Sequence, residues 1–135
     1  MTARVVLIIG AVAALLFGLG LTFMPVQMLS GFGLGTPTAA QVLSRDVGVT
    51  LIGLAVLNWL GRNATGEALR AILVANIFVQ AAELVVNGIE LAVGDLPSTA
   101  AGGLIIHIVL GALFLWALVR PGRPAVAEGP SRVAA

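Results

Sequence analysis

Four long apolar runs, separated by short stretches of Gly, Pro and polar residues, pattern this 135-residue chain. The first covers residues 5–24 and stops at Pro25. The second opens at Thr36-Pro37, read as an N-cap followed by Pro at the first helical position, and closes near Gly61-Arg62. The third begins near Glu67, an acid in a first turn, and ends near Gly94-Asp95. The fourth follows Pro97-Ser98-Thr99 and ends at Arg120-Pro121-Gly122. About 20 apolar residues cross a hydrocarbon core of about 30 Å, so each run is long enough to span a bilayer. The pattern predicts an all-α, four-helix transmembrane bundle over residues 1–121 and a disordered tail over residues 122–135, rich in Pro, Ala and Gly. Because no polar domain follows the first run, it reads as a retained span and not as a signal peptide. The first loop, PVQMLSGFGLG, is too apolar to be freely solvated. A short interfacial helix over residues 26–29 with a glycine-rich return is expected there, either as a connector lying on the bundle or as a lid.

Composition sharpens this picture. Hydrophobic residues make up 59% of the chain and charged residues 10%, against about 25% charged in a soluble domain. So few charges cannot clothe a water-exposed surface, and lipid must cover most of it. There is no Cys and one His, which excludes disulfides and thiolate chemistry and leaves no ligand set for a tight metal site. All basic residues are Arg and scattered singly, giving no face for nucleic acid. Arg4, Arg62, Arg70, Arg120, Arg123 and Arg132 flank the N-terminus, the second loop and the C-terminus, whereas the first and third loops carry none. The positive-inside rule then predicts both termini in the cytoplasm. Trp59 and Trp116, each about one turn before an Arg, read as interfacial anchors.

Ionisable groups inside a membrane are costly and mark function or pairing. Arg45, Asp46, Glu83 and His107 are such groups. By helical rise, Arg45, Glu83 and His107 lie about 12–18 Å below the predicted outer helix ends, on three different spans. On the third span Asn76, Gln80, Glu83, Asn87 and Glu90 recur at spacings of 4, 3, 4 and 3, one continuous helical face. A polar face cannot meet lipid, so it is expected inside the bundle, as interhelical glue or as the wall of a polar cavity. His107 sits between Gly103 and Gly111, which make room either for a ligand or for close packing. Glu83 is expected within direct or one-water reach of Arg45 or His107, with Asn87 lining the same space. Gly10, Ala14 and Gly18 form a small-residue ridge suited to helix packing or homo-oligomerisation. No phosphate-binding loop, Ser-His-Asp order or HExxH motif occurs.

Residues 45–62, RDVGVTLIGLAVLNWLGR, resemble the second span of DoxX-like small bacterial membrane proteins, in which a small-residue-rich helix follows an acidic residue and ends in a basic turn. The four-span layout with a Pro-containing first loop and short tail is similar too, and a related group of uncharacterised four-span proteins shares it. DoxX-like proteins usually place Glu where Asp46 stands. The resemblance implies a membrane subunit associated with redox or quinone-linked partners. Three functions follow as expectations. The first is a non-enzymatic protein whose polar pocket, drawn from Arg45, Asp46, Gln80, Glu83, Asn87 and His107, binds a lipid, quinone or other small amphiphile or supports a partner complex. The second is a proton-coupled transporter or channel, and the third a small enzyme using Glu83 and His107 in acid–base chemistry. No cofactor is assigned.

Overall fold

The computed structural model describes residues 2–120. Helix α1 covers Ala3–Phe23, α2 Pro25–Gly31, α3 Thr38–Gly61 and α4 Gly66–Val93; a 3-10 turn at Ser98–Ala101 leads into α5, Gly102–Val119. No strand occurs among the described residues. Four helices are long and apolar enough to cross a membrane, with mean hydropathies from 1.5 to 2.6. The shortest, at 21 residues, extends about 31 Å at the usual helical rise. The expected all-α, four-span architecture is therefore present. The tail expected to be disordered, residues 122–135, lies outside the described residues, as do Arg123 and Arg132.

The helix ends follow local chemistry. Pro25 opens α2 directly after Met24 and separates it from α1, since Pro favours a first turn and cannot continue a helix. At α3 the expectation is off by one residue: Pro37 is itself the N-cap, and Gln41 secures the turn by donating from Nε2 to the Thr36 carbonyl at 2.8 Å. Gly94 ends α4 in the left-handed conformation at φ 88°, which lets the Asp95 and Leu96 amides both donate to the Glu90 carbonyl, at 2.9 and 3.0 Å. That is the Gly-terminated helix end that L-residues with a Cβ adopt only with strain. The loop helix α2 is longer than the expected turn. It buries Pro25 and Leu29, and Thr99 ties the segment behind it to the 3-10 turn by donating to the Phe32 carbonyl at 3.0 Å.

The bundle consists of two helix pairs, α1 with α3 and α4 with α5. In lipid there is no hydrophobic drive between helices, so close association needs small residues that let backbones approach. Gly18 and Gly48 provide this between α1 and α3: a Cβ on Gly18 would lie 2.8 Å from the Gly48 carbonyl oxygen. Gly10 lies against Phe114 and Asn58, and Gly10, Ala14 and Gly18 are all buried. The small-residue ridge is thus consumed inside one copy of the chain and offers no face to a second.

The two pairs join at the end that carries Arg4, Arg62 and Arg120. There Val6 and Leu7 of α1, Leu73 of α4 and Phe114 of α5 form a core cluster with all four side chains at most 1% exposed. Arg62 lies over the Trp59 ring at 4.2 Å and Arg120 over the Trp116 ring at 4.1 Å. These cation–π pairs mark the same end. Helices α3 and α4 touch near this Arg end, where Gly61 faces Ile72, and have few contacts elsewhere. The far half of the bundle is left open.

Candidate functional site

That open half holds a cavity of about 600 Å³. Its floor is set by a reciprocal amide pair. Asn58 Nδ2 donates to Asn76 Oδ1 at 3.0 Å, and Asn76 Nδ2 donates to Asn58 Oδ1 at 2.7 Å. Asn76 Nδ2 also reaches the Ile72 carbonyl at 2.9 Å. Both residues are at most 1% exposed, and buried amides of this kind must be paired. Gly10 and Phe114 complete the floor.

Two walls of opposite character rise from it. Phe17 and Leu21 of α1 with Val47, Leu51 and Leu54 of α3 line an apolar side. Helix α4 lines the other with Asn76, Gln80, Glu83, Asn87 and Glu90. The polar stripe of the third span therefore faces inward along its whole length. His107 of α5 joins this wall, and Leu29, Phe32, Leu34 and Leu96 lie around the far end of the cavity.

The hydrogen bonds determine what this wall offers a guest. His107 Nδ1 lies 2.8 Å from Gln80 Oε1. An amide oxygen accepts, so Nδ1 carries the proton and the neutral ring keeps Nε2 as an acceptor. Asn87 Nδ2 donates to Glu83 Oε2 at 2.9 Å and to the Glu83 carbonyl at 2.8 Å. The amide nitrogens of Asn76 and Asn87 each make two hydrogen bonds within the protein and that of Asn58 makes one. Beside the Gln80 Nε2 donor the wall is acceptor-rich: it carries the carboxylates of Glu83 and Glu90, with no Arg or Lys among the lining residues.

The site residues expected from sequence divide into two groups. Gln80, Glu83, Asn87 and His107 share the cavity, and the His107 ring is hydrogen-bonded to Gln80. Arg45 and Asp46 stand apart. Both are exposed on the outer face of α3 and outside the lining, so the expected Arg45–Glu83 pair is not formed. The cause is the rotation of α3. Gly48 packed on Gly18 turns Ser44, Val47 and Leu51 inward, and the residues beside Ser44 point about 100° or more away from it. The two glycines beside His107 also divide. Gly103 lines the cavity with open space where a Cβ would stand, while a Cβ on Gly111 would lie 3.4 Å from Gln80 Cβ. Sequence reasoning passed over Asn58, whose only signal is one amide in an otherwise apolar turn. It also passed over Ser44, which donates to the Leu21 carbonyl at 3.1 Å and ties α3 to α1.

Comparison with protein-family models, curated proteins and solved structures finds no match.

Proposed function

We propose that this chain is a multi-pass protein of a bacterial cytoplasmic membrane, with both termini in the cytoplasm, whose cavity binds a small amphiphile. The observation that carries this reading is the division of one cavity into an apolar wall on α1 and α3 and an acceptor-rich wall on α4 and α5. Its volume of about 600 Å³ falls within the range of about 300–1,000 Å³ usual for small-molecule sites. A hydrocarbon tail lies along Phe17, Val47, Leu51 and Leu54, and a polar head meets Glu83, Asn87 and Glu90. Two carboxylates and no cation line this wall, so a head that donates or carries positive charge is favoured: an amine, a hydroxylated head or a hydroquinone fits, and a carboxylate or phosphate is repelled. The hydroquinone option agrees with the redox-linked, accessory-subunit setting that the DoxX-like resemblance of residues 45–62 implies. Glu83 and His107 lining one space also support a proton-linked transport reading. Its test is whether His107→Gln abolishes amphiphile-dependent proton flux in vesicles.

The direct test is a thermal-shift titration of the purified protein with a long-chain alkylamine, an alkanol and a fatty acid of equal chain length. The amine and alkanol are expected to stabilise the protein, and the fatty acid is not. Glu83→Gln removes a charged acceptor, a contact of about 1.5–3 kcal/mol, and is expected to weaken the amine by roughly 10- to 100-fold. Equal binding of all three, or amine binding untouched by Glu83→Gln, contradicts the reading.

A further inference from the structure

Helix α3 has a second face that the cavity does not use. Its inner side is fixed by Ser44, Gly48, Ala55 and Asn58, all buried. On the outer side Val42, Asp46, Val49, Gly53, Val56 and Leu60 follow one another at spacings of 4, 3, 4, 3 and 4, and every one is exposed. This is the alternating three-and-four spacing of a coiled-coil seam. It extends along nearly the whole helix. Gly53 stands at its middle with nothing within 4 Å of where a Cβ would be. Gly18 and Gly48 are filled by their neighbours, whereas the smallness of Gly53 serves no contact within the monomer.

The seam also carries two charges at membrane depth. Arg45 and Asp46 lie seven and eight residues inside the start of α3 at Thr38, about 10–12 Å from that end, and both are exposed. Asp46 accepts one hydrogen bond, from Thr50 at 3.0 Å, and takes it on its backbone carbonyl. Its carboxylate and the Arg45 guanidinium are left facing what would be hydrocarbon, where charged side chains are expensive. They cannot relieve each other within one helix, because adjacent residues point about 100° apart.

We infer that this face of α3 is an interface with a second copy of the same chain, in which Arg45 of each copy pairs with Asp46 of the other. Two copies inserted in the same direction set their α3 helices parallel. In a parallel seam, the residue just before a seam position leans on the corresponding seam residue of the opposite helix. Arg45 precedes Asp46, so a two-fold axis brings each guanidinium to the opposite carboxylate, and the two resulting pairs leave no charge unpaired. The face is complementary to itself, as an isologous interface requires. Gly53, about two turns further along, lets the two backbones approach as small residues do in membrane helix pairs.

The absence of native Cys makes the test direct. Gly53→Cys is introduced into the full chain in native membranes, with Val109→Cys on the exposed face of α5 as the comparison. Mild oxidation is expected to convert Gly53→Cys to a species of twice the chain mass and to leave Val109→Cys monomeric. In the Gly53→Cys background, Arg45→Asp is expected to weaken dimerisation by on the order of a hundredfold, as breaking a buried charge pair does. The swap Arg45→Asp with Asp46→Arg is expected to restore it. Gly53→Cys cross-linking no faster than Val109→Cys overturns the inference. So does an adduct whose mass is not twice the chain mass, which would point to a different partner, or a swap that fails to restore dimer while the monomer remains folded.

Discussion

The two ends of this bundle are built from the same kinds of residue and behave differently. At the Arg end Val6, Leu7, Leu73 and Phe114 interlock with almost no exposure. At the far end Val47, Leu51 and Leu54 on α3 stand across a cavity from Val79 and Glu83 on α4. Hydrophobicity does not separate the ends, because lipid is as apolar as Leu and gives no net drive to bury it. What separates them is the distribution of small residues and of charge. Gly10 and Gly61 let helices close at the Arg end. No glycine of α3 lies across the far cavity from α4, and Glu83 and Glu90 place carboxylates on its wall. In a membrane, a cavity is what remains where helices lack the means to approach.

The largest expected effect breaks the closed end. Phe114→Ala removes a ring that is 1% exposed and is expected to destabilise the protein by about 3 kcal/mol in denaturant unfolding from detergent, mostly through the void it leaves. Phe17→Ala, on the cavity wall, opens space that is already open. It is expected to shift stability by less than about 1 kcal/mol, in the range of substitutions that remove little packing. Equal losses at the two positions would show that the ends do not differ.

Glycines sharpen the same contrast. Gly18→Leu drives a side chain into the Gly48 backbone and Ile52 and is expected to cost about 2–3 kcal/mol by overpacking. Gly103→Leu meets open space. It is expected to leave thermal stability within about 0.5 kcal/mol while weakening amphiphile binding, because the added side chain fills the cavity.

A smaller effect concerns the floor where the two ends meet. Asn76→Leu strands the Asn58 amide in a site 1% exposed and is expected to cost about 1–2 kcal/mol. Replacing both Asn58 and Asn76 with Leu is expected to cost less than the sum of the single changes, since no amide is then left unpaired. Strict additivity, measured in a double-mutant cycle, would remove the pair from the account. The smallest effect lies at the membrane boundary. Arg62→Ala removes the guanidinium from the Trp59 ring and is expected to cost about 0.5–1 kcal/mol, measured by the same unfolding assay.

Much of this was legible in the sequence, and the parts that were not have a common cause. The four helices and their ends are local properties, readable from runs of apolar residues and from Pro25, Pro37 and Gly94. The inward face of α4 was also legible, because five polar residues on one helical stripe admit a single orientation in lipid. The orientation of α3 was not. Arg45 shares a depth with Glu83 and His107, but depth does not fix rotation about the helix axis. Rotation is set by Gly48 meeting Gly18 on another helix, a contact with no signature in the pattern around Arg45. Asn58 was missed for a related reason: one amide in an apolar turn has no period, and its meaning depends on Asn76, 18 residues away. Shared depth offers Glu83 as the partner of His107, whereas the placement of α5 beside α4 gives the ring Gln80.

The central claim is that the cavity, and not the lipid-facing surface, is where an amphiphile binds. A long-chain alkylamine bearing a photoreactive group near its head, irradiated with the protein in vesicles and mapped by mass spectrometry, tests this directly. The account predicts adducts concentrated on Glu83, Asn87 and Glu90 and suppressed by excess unlabelled amine. Adducts spread over outward-facing positions such as Leu16 and Leu60, or cavity adducts indifferent to competitor, would contradict it.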